Sequence, residues 1–94
     1  MRPHVKDHLT GLFCLIDTGA AASIWPRKSF PKAKQDLRPR LKAVNGTPIA
    51  SYGLKTIKLK LGPLHLQHRV VIADVAKPIL GWDFLVAHNL DIVR

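Results

Sequence analysis

Ninety-four residues, 47% of them apolar but only 6% aromatic, suffice for one domain, 1–94, with a modest and mostly aliphatic core. Fifteen Lys and Arg against six Asp and Glu give a formal charge of +9, which draws a protein toward nucleic acid, anionic membranes or acidic peptides without naming a partner. No apolar run approaches the ~20 residues of a membrane span, and the amino end lacks a basic segment followed by a long apolar stretch and a cleavage site, so neither a membrane nor secretion is indicated.

The first expected elements are two strands within His4 to Asp17, separated by Asp7-His8-Leu9-Thr10-Gly11, whose Asp and Gly suit a turn. The second, Leu12 to Ile16, is unbroken in its apolar character, which predicts burial on both faces. Its Cys14 has no partner for an internal disulfide and reads as a buried free thiol in a reducing compartment. Ala20 to Trp25 is a short apolar segment. The stretch that follows carries Arg27, Lys28, Lys32, Lys34, Arg38, Arg40 and Lys42 among Pro26, Pro31 and Pro39, and reads as a solvated loop.

From Leu41 a hairpin is expected, its strands flanking Asn45-Gly46, because both residues tolerate the positive φ of a tight turn. Leu54 to Leu61 alternates, with Leu54, Thr56, Lys58 and Lys60 on one face and Lys55, Ile57, Leu59 and Leu61 on the other. Gly62-Pro63 turns the chain into Leu64–Asp74, polar at first and then apolar through Val70-Val71-Ile72-Ala73. Trp82 to Asn89 has the apolar spacing of two helical turns, with Trp82, Leu85, Val86 and Leu90 on one side. Leu90 to Arg94 closes as a short strand. Short, evenly spaced strands with a single helix predict an all-β domain whose sheet is closed or sandwiched.

The informative site is Leu15-Ile16-Asp17-Thr18-Gly19-Ala20. An acid directly after five apolar residues is expensive to bury unless it is paired or hydrogen-bonded. Asp-Thr-Gly is also good turn chemistry and alone carries little. It is followed, however, by Ala43-Val44-Asn45-Gly46-Thr47-Pro48-Ile49-Ala50-Ser51-Tyr52-Gly53 and by Ala73-Asp74-Val75-Ala76-Lys77-Pro78-Ile79-Leu80-Gly81-Trp82-Asp83-Phe84-Leu85. In these three ordered blocks the chain resembles the retropepsins, the aspartic proteases of retroviruses and LTR retrotransposons, the gypsy class above all.

The resemblance implies a small closed, barrel-like half of an acid protease with one short C-terminal helix, acting as a homodimer. It implies an aspartic endopeptidase that cleaves polyprotein or peptide bonds, with no cofactor or metal, in the cytoplasm or in virus-like particles. Asp17 would be the catalytic carboxylate, Thr18 would bond across to the other subunit, and Gly19 would let substrate backbone approach closely. The hairpin of Asn45 and Gly46 would be a flap over the peptide. Ala20, Ala21, Ile24, Val44 and Ile79 would line the substrate pockets, alternate side chains of an extended peptide entering them. One chain carries one Asp-Thr-Gly, and Asp7, Asp36, Asp74, Asp83 and Asp91 lack that context, so the second carboxylate of the pair would come from a second copy.

Two departures stand out. Retroviral members usually have an acid two places after the Gly of the motif and an Arg after the later Gly, where this chain has Ala21 and Trp82; both partners are absent together, which leaves no orphan charge. Only Met1-Arg2-Pro3 stands where the family has an interface strand, which predicts a weak dimer or a piece of a longer polyprotein.

Other readings compete. His65 and His68, three apart on a strand, point to opposite faces and no acid or Cys completes a metal set, while His4, His8 and His88 read as surface residues or polar helix positions. Trp25 and Trp82 read as core or interface anchors. A catalytically inactive retropepsin-like module for dimerisation or peptide binding is one alternative function. A basic domain binding RNA through residues 27–42 is another, although Phe30 alone could stack on a base and contact with nucleic acid would rest on nonspecific charge.

Overall fold

Seven strands and one helix follow one another in this computed structural model, which describes residues 3–42 and 45–90, and of 38–40 the backbone only. They are β1 (His4–Lys6), β2 (Phe13–Ile16), β3 (Ile24–Pro26), β4 (Asp36–Lys42), β5 (Pro48–Leu61), β6 (Leu64–Ala73), β7 (Ile79–Leu80) and α1 (Trp82–Ala87). The sheet runs β1-β2-β7-β3-β6-β5-β4. The turn after β1 reaches round to β5, where the His8 N–H donates to the Lys60 carbonyl at 2.9 Å, so the sheet wraps toward closure around one core.

The longest pairing is β5 with β6, antiparallel from Leu54↔Val71 to Leu61↔Leu64. Gly62, at φ +58°, supplies the left-handed residue of its two-residue turn. The alternation read from Leu54–Leu61 holds from Thr56 on, where Ile57 and Leu59 are buried and Thr56 and Lys58 exposed; Lys55, on the same face as Ile57, is exposed at the start of the run. Their neighbours in the core are Cys14, Ile16, Trp25, Val70, Ile72, Leu80, Phe84 and Leu85. Each fully buried aliphatic or aromatic side chain among them contributes ~1.5–3 kcal/mol by leaving water.

Several expectations are corrected. Strand β2 is not buried on both faces: Cys14 and Ile16 point inward, but Phe13 is 58% exposed. Both hydrogen-bonding edges of β2 are taken, by β1 and by β7 through Leu15↔Ile79 and Ile16↔Leu80, while the face that carries Phe13 is left open. The basic stretch is not all loop: after a 3-10 turn at Arg27–Ser29 it forms β4, an edge strand, where charges and Pro are tolerated because one side has no strand to pair. The turn at Asn45-Gly46 is wider than a two-residue one, since Lys42 pairs with Pro48. Gly46 takes positive φ there, and the Asn45 side chain accepts the Thr47 N–H at 3.0 Å.

Helix α1 buries Phe84 and Leu85, whereas Trp82 and Val86, expected on the inner face, are 55% and 60% exposed. Its end is a Schellman motif: Asn89 takes φ +54°, and the N–H groups of Leu90 and Asn89 return to the carbonyls of Leu85 and Val86. Val44, Met1-Arg2 and the expected closing strand beyond Leu90 lie outside the described residues.

Candidate active site

Strand β2 delivers Asp17 to the end of the sheet, where β7 runs parallel beside it. The Asp17 N–H donates to the Leu80 carbonyl at 3.0 Å, extending that pairing by one residue and fixing the backbone from which the carboxylate projects. The chain then turns back on itself: the Ala20 N–H donates to the Asp17 carbonyl at 3.1 Å, and the Gly19 N–H to the carboxylate oxygen Oδ1 at 3.0 Å. Thr18 and Gly19 are exposed and Asp17 half-buried, so the carboxylate is reachable from solvent while held from beneath.

The loop from Asp17 to Ser23 is clamped by the start of α1. The Trp82 N–H donates to the Ala20 carbonyl at 2.7 Å. Gly81 packs so closely beneath that a Cβ there would lie 2.5 Å from the Ala20 carbonyl oxygen and 2.9 Å from that of Ala22. Strand β3 then returns beside β7 through Ile24↔Ile79. Asp17, Thr18, Gly19, Ala20, Ala21, Ile24 and Ile79 therefore share one end of the sheet. Ile24 and Ile79, both half-buried, are paired apolar positions on neighbouring strands.

Asn45 and Gly46 occupy the tip of the β4–β5 hairpin, exposed, and three strands separate β5 from β2 in the sheet order. Ala21 is exposed and forms no part of a charged brace, as its side chain requires.

The structure also shows a polar chain that the sequence reading missed. Ser23, 1% exposed, accepts the Gly81 N–H at 3.0 Å and donates to Asp83 Oδ1 at 2.8 Å. Asp83 Oδ2 meets His68 Nε2 at 2.9 Å, and His68 Nδ1 meets His88 Nε2 at 3.2 Å. Burial would raise Asp83, but its hydrogen bonds to His68 and Ser23 outweigh that and hold the carboxyl below its ordinary range. His88, expected at the surface or at a polar helix position, ends α1 and is half-buried against Phe84 and His68. The opposite orientations of His65 and His68 stand as expected: the former is exposed and the latter half-buried. The only signal available beforehand was an acid in the first turn of a helix.

A second buried acid lies at the opposite side of β2. Asp7 Oδ1 accepts the N–H groups of Leu9 and Lys60 at 3.1 and 2.8 Å, and Oδ2 accepts the Thr10 N–H and hydroxyl at 3.2 and 2.7 Å. It is a structural tie between the first turn and β5.

No family model matches the sequence, and no curated protein does. Solved structures do. The EIAV protease, determined with the inhibitor HBY-793, superposes with a TM-score of 0.74 at 24% identity, over 100% of this chain and 94% of that one. The retroviral protease-like domain of Ddi1 from Leishmania major gives 0.74 at 20% identity, over 99% of this chain and 82% of that one. With its single short helix and its Asp-Thr-Gly loop clamped between two strands, the chain has the retropepsin-like fold, that of half a retroviral protease.

Proposed function

We propose that the chain is an aspartic endopeptidase that works as a homodimer, each subunit contributing Asp17 to one catalytic pair. The observation that carries this reading is the placement of Asp17: a solvent-reachable carboxylate at the end of a buried strand, braced by the Gly19 N–H and by Leu80, with apolar Ile24 and Ile79 beside it. Two such carboxyls brought together across a two-fold axis share one proton. The ionised one takes a proton from water, whose oxygen attacks the scissile carbonyl carbon, while the protonated one gives its proton to the carbonyl oxygen. The resulting gem-diol collapses as the C–N bond breaks and the amine leaves with a proton returned from the pair. Free carboxyl and amine termini are released, and the pair regains its shared proton.

The substrate would be an extended peptide, held by main-chain bonds between the active-site loop and the β4–β5 hairpin acting as flap. Polyprotein processing in a retroelement, in the cytoplasm or within its particles, is the setting in which such a half-enzyme would serve. Formation of the site only on dimerisation would delay cleavage until copies are concentrated.

The test is cleavage of a mixed peptide library at about pH 5, on the acid side where a shared-proton pair works. Wild type should cleave, with specific activity rising with protein concentration and blocked by a statine-type inhibitor; Asp17→Asn should not. Equal cleavage by both proteins would sink the reading. Peptide binding without cleavage, unchanged in Asp17→Asn, would replace it with that of a binding module.

A further inference from the structure

We infer that His68, on β6 and outside the active-site loop, is a positioning residue for that loop, acting through Asp83 and Ser23, with His88 as the partner that sets how many protons the arrangement tolerates. The inference rests on the reading of Asp17 as catalytic only for its consequence in turnover; the brace itself is a matter of geometry.

The chain of contacts has a fixed direction. Ser23 Oγ can accept from the Gly81 N–H at 3.0 Å only with a lone pair, so its one proton goes to Asp83 Oδ1 at 2.8 Å. That in turn requires Asp83 to be an acceptor at Oδ1, and His68 Nε2–H at 2.9 Å from Oδ2 keeps the carboxylate ionised and pinned. Gly81 is the residue whose lack of a side chain lets Ala20 and Ala22 approach, and its neighbour Trp82 holds the Ala20 carbonyl at 2.7 Å. A change at His68 is thus passed through three hydrogen bonds to the backbone beneath Asp17-Thr18-Gly19. In this chain, which has Ala21 and Trp82 where the resemblance implies an acid and an Arg, the brace is made by Ser23, Asp83 and His68.

With Nε2 protonated toward Asp83, neutral His68 has an accepting Nδ1, which takes the His88 Nε2–H across 3.2 Å. One added proton leaves a single N–H between the rings, on either side, and the contact persists beside the Asp83 charge. A second proton sets two N–H groups against each other at that distance and breaks it. The groups facing the pair are Asp83 from α1, Ser23 from the loop before β3, the Phe84 ring with its centroid 5.1 Å from that of His68, and the Gln67 main chain beside His88. Burial, and then the charge of His68, hold His88 below its ordinary value of 6.5, so this ring resists the second proton. The sign follows: His88 binds its proton more readily in the unfolded chain, so stability is lost as pH falls below about 6.5 toward its lower folded value.

The experiment follows the Gly81 amide resonance and the imidazole resonances against pH in wild type, His68→Gln and His68→Leu, together with the pH profile of kcat and KM. Gln keeps a donor near the Nε2 position but does not titrate. Expected is a Gly81 amide shift that follows the histidine pair on the acid side in wild type and is flat in His68→Gln, whose kcat near neutrality stays within about twofold while its acid limb moves. His68→Leu should lower kcat by about 10–100-fold with little change in KM. Should His68→Leu fail to fold, His88→Gln replaces it: with no second ring to charge, its acid limb should also move.

A Gly81 amide that ignores the histidines in wild type would overturn the inference, as would a His68→Gln profile superimposable on wild type. A protein that lacks peptidase activity but whose Gly81 amide follows the histidine pair upholds the brace and removes only the catalytic reading.

Discussion

Gly81 lies so close under Ala20 that a methyl group added at Gly81 would fall 2.5 Å from the Ala20 carbonyl oxygen and 2.9 Å from that of Ala22, both of them main-chain atoms. Neither can yield as a flexible side chain would, so the loop that carries Asp17 must shift instead. Gly81→Ala should cost roughly 1–3 kcal/mol in unfolding free energy as a local overpacking. Under the proposed peptidase reading its effect on turnover should be larger in proportion, about 10²-fold, because the displaced loop holds the carboxylate. Denaturant midpoints and library cleavage measured side by side check this; wild-type values for both would contradict the close approach.

Asp7 is fully buried, and four donors converge on its carboxylate, among them the Lys60 N–H from a strand 53 residues away. Burial pushes its pKa up, but the hydrogen bonds of Lys60, Thr10 and Leu9 prevail and hold it below the ordinary 3.8. Asp7→Asn puts an amide donor among donors and should cost about 1–3 kcal/mol at neutral pH. The lowered pKa means that the carboxylate's stabilisation is full above 3.8 and is lost as pH falls through the lower folded value. The gap between wild type and Asp7→Asn should therefore narrow below pH 3.8 in thermal or urea melts. A gap independent of pH would show that the charge is not what matters.

The position of Asp17 at a strand end was legible because an acid directly follows an apolar run, and the strand–Asp-Thr-Gly pattern is local. Asp7 was not, because an Asp in a turn looks the same whether it is solvated or meets the N–H of Lys60, and only the wrapping of the sheet decides. The helix was legible in extent but not in orientation: Trp82 was expected inward by spacing, yet its N–H must reach the Ala20 carbonyl, and that rotation turns Phe84 and Leu85 to the core. His68, Asp83 and His88 come together from strand and helix at separations of 15 and 20 residues, which no periodicity within either element encodes. Strand β4 hid behind its charges and prolines because those are the residues an edge strand can carry.

Cys14 is fully buried in the core beside Ile16. Burial, and then the negative charge of Asp7, push its thiol up to about 12. At about pH 8 the thiolate fraction is then on the order of 10⁻⁴, so a thiol-specific disulfide reagent should label the folded protein far more slowly than the unfolded one. The labelling rate should rise with denaturant along the same curve as unfolding measured by fluorescence. Labelling at the unfolded rate in native buffer would place the thiol outside the core.

Trp25 and Trp82 sit in opposite surroundings, 2% and 55% exposed. Acrylamide should therefore quench one of the two tryptophans readily and leave the other nearly untouched, and Trp82→Phe should remove the accessible component with little loss of stability. Trp82 is tied through its main chain to Ala20 in the loop that carries Asp17, so a second copy presenting its own Asp17 to this one would come up against that side of the helix. Under the dimer reading, the quenchable fraction should fall as protein concentration rises, and it should fall in step with the gain in specific activity. Trp82→Ala should shift both curves to higher concentration, since exposed aromatic side chains are the commonest anchors of an interface. A quenchable fraction that stays constant while activity rises would keep the dimer and move its contact away from α1.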